Sequence, residues 1–106
     1  VPIAKDIVEQ VKADFPAADV PSVLARLESA SRIERVLRCI VFAARGHPWY
    51  FDFLCRLAKI EERDVIRAAE YEPLGDRLYD FTMPIPEARL TIDRYPSPDV
   101  LRKEAG

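Results

Sequence analysis

The chain has 106 residues, 49% of them aliphatic, aromatic or cysteine and 32% charged, with a formal net charge of −2. That size suits one domain with a single core, and the apolar content excludes wholesale disorder. The slight negative balance gives the chain as a whole no electrostatic reason to seek nucleic acid or an anionic membrane, so neither is expected as a partner.

The longest uninterrupted apolar run, Cys39 to Ala44, falls far short of the roughly 20 residues a membrane-spanning helix needs. No basic, apolar leader opens the chain, and two cysteines make no disulfide framework; both point to a cytoplasmic protein. The chain begins at Val1 and not at Met, which suggests a trimmed or partial chain.

In chain order, "IAKDIVEQVKADF" places Ile3, Ile7, Val8, Val11 and Phe15 on one helical stripe that Pro16 ends. A short second helix follows, with Asp19 as its cap, Pro21 in the first turn, and Val23, Leu24 and Leu27 at helical spacing. Ser31 and Glu34 read as a capping box opening a third helix, with Ile33, Val36, Leu37, Ile40 and Ala44 as its core stripe. This helix runs to Arg45 and stops at Gly46.

Gly46 can take the left-handed conformation that closes a helix and Pro48 can open the next, so "RGHP" reads as a tight turn between antiparallel helices. Helix four, Pro48 to about Ile60, is apolar on nearly all sides: Asp52, Arg56 and Lys59 are its polar stripe. Such a helix is expected in the middle of the fold. A fifth helix, about Glu62 to Glu72, turns Val65, Ile66 and Ala69 inward, with Tyr71 or Ala68, and ends at Pro73.

Beyond Pro73 the prolines multiply. "RLYDFTMPIP" and "RLTIDRYP" carry some period-two alternation and read as two short strands or an extended arm. The expectation is an all-α bundle of about five helices as one domain over residues 1–83, followed by a proline-rich extended C-terminal arm or tail over 84–106.

Chemistry is scarce in the residue pattern. His47, the single histidine, lies eight residues from both Cys39 and Cys55, which puts each thiol roughly 12 Å down its helix from the turn. That separation is too long for a metal shared with the histidine. Structural thiols are the leading reading, with a redox pair or a metal site behind it. His47 reads as a polar loop residue, with catalysis the minority view. Three scattered glycines make no phosphate loop, and no acid–base pair of carboxylates is evident. No catalytic, metal or cofactor residues are assigned, and no cofactor is expected.

The third helix draws attention for another reason. Phe42 falls among Arg35, Arg38 and Arg45 on an otherwise charged face. Another segment of the chain could cover it, with the stretch around Phe81 to Ile85 the natural candidate. A second molecule could do the same, or the ring could serve as an exposed platform for a ligand or nucleic acid. The arginines could pair with Glu34 or with the acidic 61–80 stretch; phosphate contact is the alternative. A helix-turn-helix reading of helices four and five fails because "EERDVIRAAEYE" is net acidic. "WYFDF" sets four aromatics, Trp49, Tyr50 and Phe53 among them, at the start of helix four; core packing is the leading reading, with a hydrophobic surface for oligomers behind it, since one helix cannot easily bury all its sides in a small bundle.

The blocks "RVLRCIVFAARG", "AKIEERDVIRAAEYE" and "DFPAADVPSVLARLE" resemble a group of small uncharacterised, mostly helical bacterial proteins that carry similar blocks in the same order over about residues 3–83. The resemblance implies a helical cytoplasmic protein of bacterial origin. It implies no activity, cofactor or catalytic residue, and "RGHPWYFDF" departs from the more acidic turn of that group. Taken together, the residues suggest a non-enzymatic binding or assembly module that self-associates through aromatic surfaces. The alternative is weak binding of nucleic acid or a phosphate ligand through the arginines of helix three.

Overall fold

A computed structural model describes residues 3–90. Among these residues there are five α-helices: α1 (Lys5–Asp14), α2 (Val20–Ala30), α3 (Glu34–Ala44), α4 (Pro48–Ile60) and α5 (Glu62–Glu70). Single 3-10 turns cover Ala17–Asp19 and Ile85–Glu87. The all-helical class expected from periodicity is what the described residues adopt. The second helix is not short, running 11 residues as α3 does. The first of the two suggested strands, residues 77–86, contributes only isolated bridges, Tyr71 with Arg77 and Tyr79 with Arg89. Of the second suggested strand only Arg89 and Leu90 are described, and the Leu90 N–H donates to the Leu78 carbonyl at 2.9 Å; the rest of it and most of the proposed arm lie outside the described residues.

The core is built around α3, which packs against α1, α4 and α5, while α2 lies across α1 and α4. Val36, Leu37, Cys39, Ile40, Val41 and Ala44 of α3 are all buried. The helix expected at the centre was α4, but it turns only Phe51, Leu54, Cys55 and Ala58 inward. The physical reason lies in what each side meets. The polar side of α3 is roofed by α1 and the segment after α5, whereas nothing among the described residues roofs the outer side of α4. Ile33, expected in the α3 core stripe, precedes the helix and is about half exposed.

Local signals were partly redirected by tertiary contacts. Pro21 and Pro48 occupy the first turns of α2 and α4, where a missing N–H costs nothing. The Ser31–Glu34 capping box does not form. Ser31 Oγ instead accepts the Ile33 N–H at 3.0 Å and donates to the carboxylate of Glu62, tying the α2–α3 corner to α5. Glu34 turns to Arg38, its i+4 neighbour.

Helices α3 and α4 form the expected antiparallel hairpin. Its turn uses two successive residues with positive φ, Arg45 (48°) and Gly46 (79°), and His47 N–H donates to the Ala44 carbonyl at 2.9 Å. Gly46 is required here for a second reason: a Cβ on it would sit 2.4 Å from the carbonyl oxygen of Asp14. The turn therefore seats directly on the last residue of α1.

Candidate interaction surface

Two parts of the molecule hold the residues singled out in the sequence. The first is the roof over α3. Glu70, at the end of α5, is completely buried. It continues the inward arc of α5 as the i+4 successor of Ile66. Its carboxylate accepts a bidentate pair from Arg35, Nε to Oε2 at 2.9 Å and Nη2 to Oε1 at 2.7 Å. It also accepts from Arg77 Nη2 at 3.0 Å and from the backbone N–H of Phe81 at 2.9 Å. The Glu70 carbonyl takes the Leu78 N–H at 2.7 Å. One buried carboxylate thus fixes α3, α5 and the returning chain at once, with every donor charge-assisted or part of the backbone.

Asp6 of α1 repeats the device. Arg38 donates to it through Nε at 2.9 Å and Nη2 at 3.2 Å, and the Ile85 N–H donates to it at 3.0 Å. Arg38, itself buried, also reaches Glu34 and the Phe81 carbonyl. Burial would raise the Asp6 pKa, but Arg38 and the Ile85 amide outweigh it and hold the carboxyl below its ordinary range.

These anchors lay the 77–88 segment over Phe42. Its ring lies 4.5 Å from Tyr79 and 4.9 Å from Phe81 between centroids, and the Arg45 guanidinium sits 5.5 Å from its centre. Phe81 is fully buried. Phe42 is thus covered from within the chain. Of the three arginines around it, Arg35 and Arg38 are committed to internal carboxylates and Arg45 stacks on the ring. Of the three readings open for Phe42 in the sequence, internal cover from around Phe81 is what the chain uses, and the acidic 61–80 stretch supplies Glu70 to Arg35; Asp6 and Arg77 carry no such signal in the sequence, Asp6 lying 32 residues from Arg38 and 79 from the Ile85 amide.

The second part is the outer face of α4. Trp49, Phe53 and Ile60 are 77%, 47% and 82% exposed. They stand at i, i+4 and i+11 with Arg56 at i+7, one continuous stripe along the whole helix. Tyr50 and Leu57 flank it and rest partly on the core. The rings of Trp49, Tyr50 and Phe53 lie nearly parallel, with centroids 6.1 to 6.2 Å apart. Asp52 accepts from Arg26 of α2 at 3.0 Å and from Arg56, so a chain of ion pairs borders the stripe. Ile60 belongs to this surface, and the sequence reading did not include it.

Cys39 and Cys55 are both buried in the core, and burial pushes their thiols up to about 12 and about 11. Neither is a reactive thiolate at neutral pH. His47 is exposed at the hairpin turn. Among the described residues, no three His, Cys, Asp or Glu side chains converge as metal ligands, and no helix is long and apolar enough to cross a membrane. No family model matches the chain, and neither a curated protein nor a solved structure matches it.

Proposed function

We propose that this chain is a non-enzymatic assembly module that associates with itself through the outer face of α4. The observation that carries the reading is the exposure of Trp49, Phe53 and Ile60 in one stripe on a helix whose opposite side is core. Scattered surface hydrophobics are ordinary in a monomer, but two aromatics and an isoleucine lined up along about three turns are what an interface centre is made of. Phe42 takes no part in this reading, because Tyr79 and Phe81 already cover it.

The arginine alternative has less support. A phosphate would have to compete with Glu70 for Arg35 and with Asp6 for Arg38, and of these three arginines only Arg45 has no carboxylate partner among the described residues. Sedimentation equilibrium from about 1 to 200 µM tests self-association. The expected result is a concentration-dependent dimer that Trp49→Glu converts to monomer without loss of helical content. A wild-type chain that stays monomeric throughout that range removes the proposal.

A further inference from the structure

The order of residues along the α4 stripe specifies how two copies would meet. Trp49 and Ile60 mark its ends, about 16 Å apart along the helix axis, with Phe53 and Arg56 between them. In a two-fold interface the same patch serves both subunits, so whatever stands at one end must suit whatever faces it. Two arrangements of α4 on α4 satisfy that symmetry.

In the parallel arrangement every residue meets its own copy. Arg56 would then face Arg56 of the partner subunit within an apolar strip, two like charges losing water together. In the antiparallel arrangement residue numbers across the contact sum to a constant, and the stripe is centred midway between Phe53 and Arg56. Trp49 then faces Ile60 of the partner subunit, and Phe53 faces Arg56 of the partner subunit. The first contact is apolar on apolar, and the second sets a guanidinium on an aromatic ring. Asp52 holds Arg56 from its own helix, one turn back, which leaves the flat face of the guanidinium for stacking. The helix dipoles also oppose each other in this arrangement and reinforce in the other.

We infer that the partner of α4 is α4 of a second copy of this chain, antiparallel, about a two-fold axis passing between Phe53 and Arg56. This rests on the self-association proposed above and adds its register. With two or three large side chains from each subunit, the contact buries roughly 1,000 Å² in total. That is the low end for a stable interface, so a weak, concentration-dependent dimer is expected.

Disulfide trapping decides the register. Trp49→Cys and Ile60→Cys are made in separate chains. Both positions are exposed, and the native thiols of Cys39 and Cys55 are buried and silent. A disulfide needs Cα atoms within about 7 Å, whereas antiparallel copies of position 49 are about 16 Å apart along the axis. Oxidising the two variants together should therefore give about tenfold more covalent dimer than oxidising either alone. Phe53→Cys mixed with Arg56→Cys should behave in the same direction, a second pair that does not depend on Trp49. Cross-linking of Trp49→Cys with itself, or of neither pair in a chain that sedimentation shows to be dimeric, overturns the register while leaving self-association standing. A monomeric wild type overturns both.

Discussion

The two exposed sides of the helical hairpin carry similar aromatic surplus and treat it in opposite ways. On the α3 side, Phe42 sits among arginines, and the chain returns after α5 to lay Tyr79 and Phe81 over it. On the α4 side, Trp49, Phe53 and Ile60 line up in the same fashion and nothing among the described residues covers them. The difference is electrostatic. The α3 side offers two arginines that reach buried or half-buried carboxylates, and those carboxylates also accept backbone N–H groups from the returning segment. The α4 side has Asp52, Arg56 and Arg26 paired with one another along its edge, which leaves no buried charge to capture a passing backbone. An aromatic patch is covered within one chain when polar anchors beside it can hold the cover in place; apolar attraction alone has no preferred register.

If that account holds, removing the central anchor should have the largest effect. Glu70→Gln keeps the shape of the side chain but leaves Arg35 and Arg77 without the shared charge that fixes them. A loss of about 3 kcal/mol in unfolding free energy is expected. Urea unfolding would measure it, and a loss below about 1 kcal/mol would mean that the roof is held by apolar contact and not by the carboxylate. The same substitution should raise the exposure of Tyr79, readable as faster hydrogen exchange at the Leu78 and Phe81 amides, while the α4 face and its self-association remain unchanged.

Next in size is Gly46→Ala. The new methyl group meets the Asp14 carbonyl at a distance no Cβ tolerates, and the backbone there has φ of 79°. A destabilisation of about 2 kcal/mol is expected from the left-handed conformation and the forced shift of α1 together. A neutral result by thermal unfolding would show that the turn does not seat on α1 as described.

A smaller effect separates the two sides by pH. Asp6 is held below the ordinary carboxylate range in the fold, by Arg38 and the Ile85 amide against the cost of burial. Asp80 is lowered as well, chiefly by the hydroxyl and amide of Thr82. A depressed carboxylate contributes stability that is complete above the unfolded value near 4 and is lost as pH falls through the folded value. Unfolding midpoints should therefore decline below about pH 5, and Asp6→Asn should make that decline shallower while lowering stability at neutral pH by about 1 kcal/mol. An acid limb of the same steepness in the variant would remove Asp6 from the account. The smallest stability effect belongs to the open side: Trp49→Glu, which abolishes association in the proposal above, should change monomer stability by less than about 0.5 kcal/mol.

Much of the helical layout was legible because its signals are local. Pro16, Gly46, Pro48 and Pro73 punctuate the chain, and the spacing of Ile7 with Val11, or of Val36 with Ile40, declares a buried stripe whatever the stripe packs against. The position of Phe42 on a charged face was legible in the same way, and with it the need for a cover. Ser31 shows where local reading fails: its capping box is a good short-range solution, but Glu62, thirty-one residues away, offered a charge-assisted partner and Glu34 had Arg38 within reach. Glu70 shows it again, since nothing within one turn of α5 explains a buried carboxylate.

The amino-acid order alone determined five amphipathic helices and the bend at residues 45–47, because periodicity and backbone stereochemistry act over a few residues. Which helix became the centre, which arginines were spent on internal carboxylates and which aromatic face stayed open were decided only by the tertiary structure. Burial and ion pairing depend on what arrives from elsewhere in the chain: Glu70 and Phe81 came back to α3, and no segment among residues 3–90 came back to Trp49.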